Sequence, residues 1–240
     1  MTTRRRSARS TVAGLALTGV LGLALAGCAG GETPATPDAG ASATSDASAT
    51  SETAATAEHL SSDELTALFD TLQFPPGEYA TSAELLSSIY PGLTVSDPSC
   101  LAPFGAGWES AATADDAAAE MATSNDRSMT AVVVSSADPE QAQTLFADAE
   151  EALATCADGS QSFELSGLPI DLQLETIPTT VTDTDESVSW RATGEVAGAP
   201  FTLVGITAVH EGTAIALVGW DPETSADYVP TATQMFIDGF

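Results

Sequence analysis

The stretch PFTLVGITAVHEGTAIALVGW, Pro200–Trp220, decides the fold class. From Phe201 to Val209 it is apolar on both faces, the pattern of a central strand covered above and below. Glu211 and Gly212 interrupt the run and Ala214 to Trp220 resumes it, so the two halves read as an antiparallel hairpin. Working outward, Val188, Trp190 and Ala192 alternate with Ser189 and Arg191, which predicts a strand over Ser187 to Thr193 with one buried and one wetter face. Phe163 to Leu165 and Ile170 to Ile177 read as further strands. Upstream lies a second hairpin, Ala117 to Thr123 and Met129 to Ser135, turning through Asn125 and Asp126, residue types that tolerate positive φ.

Helices bracket these strands. Asp138 suits an N-cap, Pro139 the first helical position and Gln141 the third position of a capping box. Ala142, Leu145, Phe146, Ala149, Leu153 and Cys156 follow as one apolar stripe, which predicts a long helix ending with Cys156 turned inward. Ser61 with Glu64, and Thr81 with Glu84, have capping-box spacing and start short helices over Ser62 to Thr71 and Ser82 to Ser88. A last helix is expected from Pro230 to Asp238, burying Met235 and Phe236. Helices, hairpin, helix, strands, helix: the order predicts an α+β fold, an antiparallel sheet with helices packed against it in a single domain.

The first 27 residues belong to a different kind of segment. Arg4, Arg5, Arg6 and Arg9 precede an apolar run from Thr11 to Ala26 that is free of carboxylates and ends in Leu25, Ala26, Gly27 and Cys28. That is the pattern of a lipoprotein signal peptide, too short for the roughly 20 residues of a membrane-spanning helix. It predicts cleavage before Cys28 and acylation of the Cys28 thiol. At about 0.8 kcal/mol per buried methylene, two or more acyl chains hold a protein at a membrane where one does so only marginally. Residues 28–58, rich in Ala, Ser and Thr with no aliphatic side chain larger than alanine, cannot bury a core and read as a flexible tether. Residues 59–240 then form the globular, extracytoplasmic domain on the outer face of the cell membrane.

Charge and cysteine count narrow the function classes. Beyond Gly27 the only basic residues are Arg127 and Arg191, which stand against 34 acids and give a formal charge of −32 with no lysine. Nucleic acid is excluded as a partner, because it requires a cationic surface to replace its counterions. Lipidation uses one of the 3 cysteines and leaves Cys100 and Cys156, an even pair in an oxidising compartment. They are predicted to form a disulfide, two free thiols being the alternative.

No catalytic motif stands out. His59 and His210 are the only histidines, neither has the company that a zinc site or a nucleophilic triad requires, and no metal or cofactor is expected. Asp183, Asp185 and Glu186 open like a calcium loop, but Val188 and Gly194 stand where such a loop needs Gly and Glu, so a solvated turn is expected. Two residues are candidates for ligand contact. Trp108, following Gly105, Ala106 and Gly107, is expected to be the most exposed of the tryptophans, Trp190 and Trp220 being assigned to the core; Arg191 stands in a strand with a fork suited to anions, or to pairing with a nearby carboxylate.

Asp97, Pro98, Ser99 and Cys100, the strand Ala131 to Ser135, and the helix from Asp138 through Ala142 to Cys156 together resemble the extracellular sensor domain of the mycobacterial kinase PknH and related actinobacterial lipoproteins. The resemblance spans about half the domain. It implies an antiparallel sheet with helices around a cleft, and ligand sensing without catalysis. Members of that family often carry a second disulfide, for which this chain has no cysteines. The sequence is also similar, more loosely, to LpqN-like lipoproteins of mixed α and β structure. The expected function is therefore a membrane-anchored, non-enzymatic ligand-binding or sensor module that meets a small ligand or an envelope protein. An envelope-directed hydrolase and a structural lipoprotein that binds other envelope proteins are the alternatives.

Overall fold

Local capping chemistry sets where the helices begin. In the computed structural model, which describes residues 59–113, 116–157, 161–220 and 225–240, helix α1 spans Ser62–Thr71. Ser61 Oγ accepts the Glu64 amide at 3.4 Å and Glu64 Oε2 accepts the Ser61 amide at 2.9 Å, so both halves of the capping box form. Helix α2 spans Ser82–Ile89, and Thr81 Oγ1 accepts the Glu84 amide at 3.2 Å. Here the carboxylate reaches one residue further back, to the Ala80 amide at 2.9 Å. Helix α3, Pro139–Cys156, is capped by Asp138, whose Oδ1 accepts the Glu140 amide at 3.1 Å. The expected return bond from Gln141 is not made, because its Nε2 donates to the Ala111 carbonyl at 2.6 Å and a tertiary partner wins over the local one. The leader, Cys28 and the tether lie outside the described residues.

The strands form two antiparallel sheets. The small one joins β1 (Thr94–Val95), β4 (Phe163–Leu165) and β5 (Leu168–Ile170) in the order β1-β4-β5. The large one contains β2 (Ala117–Thr123), β3 (Met129–Ser136), β6 (Gln173–Ile177), β7 (Glu186–Val196), β8 (Ala199–His210) and β9 (Thr213–Gly219). Its order, β2-β3-β9-β8-β7-β6, puts the two most apolar strands at the centre, as their composition requires. The β8 to β9 turn places Glu211 at φ 46 and Gly212 at φ 80, the two positive values of a type I′ hairpin that matches the strand twist. Residues 170–177, expected as one strand, are two: Ile170 pairs with Phe163 in the small sheet, whereas Gln173 pairs with Thr193 in the large one.

The β2 to β3 turn also departs from expectation. Its left-handed residue is Arg127, at φ 58, rather than Asn125 or Asp126. Asp126 instead braces the turn with its side chain, Oδ1 accepting from Ser124 Oγ at 2.6 Å, Ser128 Oγ at 2.8 Å and the Ser128 amide at 3.1 Å. Those bonds fix the loop and leave the next residue to make the reversal. Two 3₁₀ segments, Pro98–Phe104 and Trp108–Thr113, fill a region that carried no element in the sequence reading.

Both faces of the large sheet are covered. Along β3, Ala131 and Val133 point to one side with Leu65, Phe69 and Phe236, while Val132 and Val134 point to the other with Trp108 and Phe146. The first side is capped by α1 and by α4 (Ser225–Ile237), the second by α2, α3 and the 3₁₀ segments. Each fully buried Val, Leu or Phe is worth about 1.5–3 kcal/mol, so this two-sided burial dominates stability. Helix α4 begins before Pro230, which sits within it, and it buries Phe236 but leaves Met235 48% exposed, contrary to expectation. Adjacent helical positions are about 100° apart, so only one of the two can meet the core. Trp190, wholly buried, lies over Gly205 on the neighbouring strand and against Phe104, at a centroid distance of 5.0 Å. At the start of the first described segment, the Leu60 amide donates to Ser135 Oγ at 2.8 Å near the end of β3.

Candidate functional site

The Cys100 and Cys156 sulfurs are bonded at 2.00 Å, joining the end of α3 to the first 3₁₀ segment as the cysteine count predicts. Both cysteines are buried, so the bridge is part of the core.

The two candidate ligand residues are not brought together. Trp108, expected to be exposed, is 2% exposed and packs against Leu85, Met121, Val132 and Phe146. The glycines that made its segment look like an open loop instead allow the chain to come close: at Gly105, φ is 77 and an added Cβ would meet Val132. That burial corrects the expected exposure of the indole. Arg191 lies directly across from Glu175 on β6, and its Nη1 is 3.2 Å from Glu175 Oε1. Its guanidinium is thus engaged with a strand neighbour, one of the two roles anticipated for it. Trp220, assigned to the core, is 45% exposed just beyond the end of β9. His210 is half-buried at the end of β8, and among the described residues no serine or carboxylate hydrogen-bonds to it. No group of three or more metal-ligating side chains occurs among the described residues.

A groove of about 410 Å³ does form, from three segments distant in sequence. One wall is Leu72, Gln73 and Phe74, just after α1; the second is the β2 to β3 turn, including Asp126 and Met129; the third is α4. On α4, Tyr228, Thr231, Ala232 and Met235 follow at i, i+3, i+4 and i+7, a stripe on one helical face that looks into the groove. Tyr228 is 57% exposed, so this apolar stripe stands in solvent. The base is rigid because Phe74 and Phe236 stack edge-on at 5.3 Å, and Phe236 and Phe69 at 5.0 Å.

The rim between the first two walls is locked by paired bonds. The Asn125 amide donates to the Gln73 carbonyl at 3.0 Å, and Asn125 Nδ2 donates to Gln73 Oε1 at 2.9 Å. Gln73 holds a left-handed φ of 67 to make this contact. The bonds from Ser124 and Ser128 hold the Asp126 carboxyl below its ordinary value. The volume falls within the range of small-molecule sites, and the lining is predominantly apolar with a few placed polar groups, the usual composition of such sites. The signal for this site was present in α4, whose 228, 231, 232, 235 spacing marks a second apolar face beside the core-facing one.

Among the described residues no helix is long and apolar enough to cross a membrane. In fold, the chain is similar to the extracellular domain of PknH from Mycobacterium tuberculosis, with a TM-score of 0.45 and 12% identity over 75% of this chain and 93% of that one. It is also similar to an uncharacterized protein from Mycobacterium smegmatis, the Rv0999 ortholog, with a TM-score of 0.25 and 14% identity over 64% of this chain and 94% of that one. No family profile and no curated protein matches the sequence.

Proposed function

We propose that this chain is a lipoprotein, acylated at Cys28 and held on the extracytoplasmic face of the cell membrane, whose domain binds a ligand without catalysis. The groove between the end of α1, the β2 to β3 turn and α4 is its binding site. The observation that carries this reading is the groove itself: an open apolar stripe on a rigid aromatic base, about 410 Å³ in volume. Apolar side chains grouped in a concave site with a few polar groups at its edge are the usual lining of a ligand-binding groove. The leader ending at Cys28 supports the anchor, and the buried Cys100 to Cys156 bridge supports folding in an oxidising compartment.

Two measurements test the two halves. Replacing Cys28 with Ala should release the chain from the membrane fraction or leave it with its leader uncleaved; equally firm attachment with the leader removed in both proteins refutes the anchor. For the site, native mass spectrometry of the chain purified from its own host should show a retained small molecule. The doubly substituted Tyr228→Ala, Met235→Ala chain should retain less of it, and equal retention moves the site elsewhere.

A further inference from the structure

We propose that the groove takes a single-chain amphiphile with a cationic head, its apolar part against Phe74, Met129, Tyr228 and Met235 and its head at Asp126. The proposal rests on the groove being the binding site and adds the chemistry of what enters it. Among the described groove residues, Asp126 is the one carboxylate and none is a base. Its Oδ1 is taken by Ser124 and Ser128, while Oδ2 receives no hydrogen bond among the described residues. A carboxylate oxygen whose lone pairs no described donor uses thus stands at the edge of an apolar surface.

The neighbouring cation does not neutralise it. Arg127 turns toward the segment before α2, where Nη1 lies 3.3 Å from Glu78 Oε1 and Nη2 donates to the Tyr79 hydroxyl at 2.9 Å. Charge elsewhere on the chain points the same way. Beyond Gly27 there are two arginines against 34 acids, and the second arginine, Arg191, is engaged by Glu175. An anionic head would meet repulsion from the rim and from the field of the whole domain, whereas a cationic head is attracted by both. An apolar wall with one carboxylate at its edge matches a molecule that is greasy at one end and positive at the other. A hydrophilic polyamine would leave the wall bare.

The test uses the full chain in phosphatidylcholine nanodiscs, with empty nanodiscs subtracted, titrated calorimetrically with octyltrimethylammonium, octyl glucoside and octyl sulfate below their micelle concentrations. The ammonium probe should bind about tenfold more tightly than the sulfate. Asp126→Asn keeps the Oδ1 acceptor and so the turn, and should weaken the ammonium probe about three- to fivefold, the size expected of an exposed charge contact, without affecting the glucoside. Asp126→Glu should retain the preference for ammonium. If Asp126→Asn leaves that preference intact, or if Asp171→Asn, outside the groove, erodes it equally, the head assignment is overturned while the groove stands. If Met235→Ala weakens none of the three probes, the groove itself is not the site and both readings fall.

Discussion

Gly205→Ala should damage this protein more than its chemistry suggests, and the reason lies in one close approach. Gly205 pairs with Trp190 in the β7 to β8 ladder, and its backbone runs beneath the indole. A Cβ at this position would overlap Cζ2, Cε2 and Nε1 of Trp190, and the ring has no room to retreat because it is wholly buried and backed by Phe104 at 5.0 Å. The φ of Gly205 is not left-handed, so alanine carries no backbone strain of its own here. In an open strand the substitution would stabilise by about 0.4–1 kcal/mol through the unfolded chain. Overpacking a tight core costs about 1–3 kcal/mol and often the upper part of that range when the neighbour is boxed in, so the collision wins. Urea unfolding should show a net loss of about 1–2 kcal/mol with an unchanged m-value. Trp190→Leu, which removes all three colliding atoms, is destabilising alone but should absorb most of the Gly205→Ala penalty in the double variant. A Gly205→Ala protein as stable as the parent, or strictly additive losses in the double variant, would refute the packing argument.

Two further outcomes follow from the same core. Cys100 and Cys156 are 56 residues apart, and the chain-entropy model assigns a closed loop of that length about 4 kcal/mol. The Cys100→Ala, Cys156→Ala chain should lose roughly that amount in denaturant, and added reductant should then have no further effect; an unchanged midpoint would remove the bridge from the stability account. Burial pushes the Tyr90 phenol well above its ordinary value. An unfolded tyrosine ionises near about 10, so the stability held by the neutral buried ring is present below that pH and is lost as pH rises beyond it. Tyr90→Phe should flatten the alkaline fall in stability above pH ~10, which melting curves across that range would show.

Much of this architecture was legible because its signals are local. The caps at Ser61, Thr81 and Asp138 name the starts of α1, α2 and α3, and the strands from β7 to β9 follow from runs of alternation and a two-residue turn. The disulfide was legible once Cys28 was set aside for acylation, because that leaves an even pair in a domain read as exported. What failed depended on distant partners. Whether Ile170 and Gln173 share a strand is decided by Phe163 and Thr193, which recruit them into different sheets. Trp108 looked exposed because glycines precede it, yet the room that buries it is made by Leu85 and Phe146. Met235 was assigned to the core because an apolar residue on a terminal helix usually belongs there, and the groove it lines needs residues 72 to 74 and 124 to 129 beside it. No window of sequence contains all three.

Leu60 and Met129 lie at opposite poles of the same layer. Leu60 is fastened to Ser135 at one end of β3, and Met129 opens that strand beside the groove. Six steps of antiparallel strand separate the two by about 20 Å, and α1, about 15 Å long, spans the same direction. The Leu60 amide and the mouth of the groove therefore stand at opposite ends of β3, so the two do not share a wall.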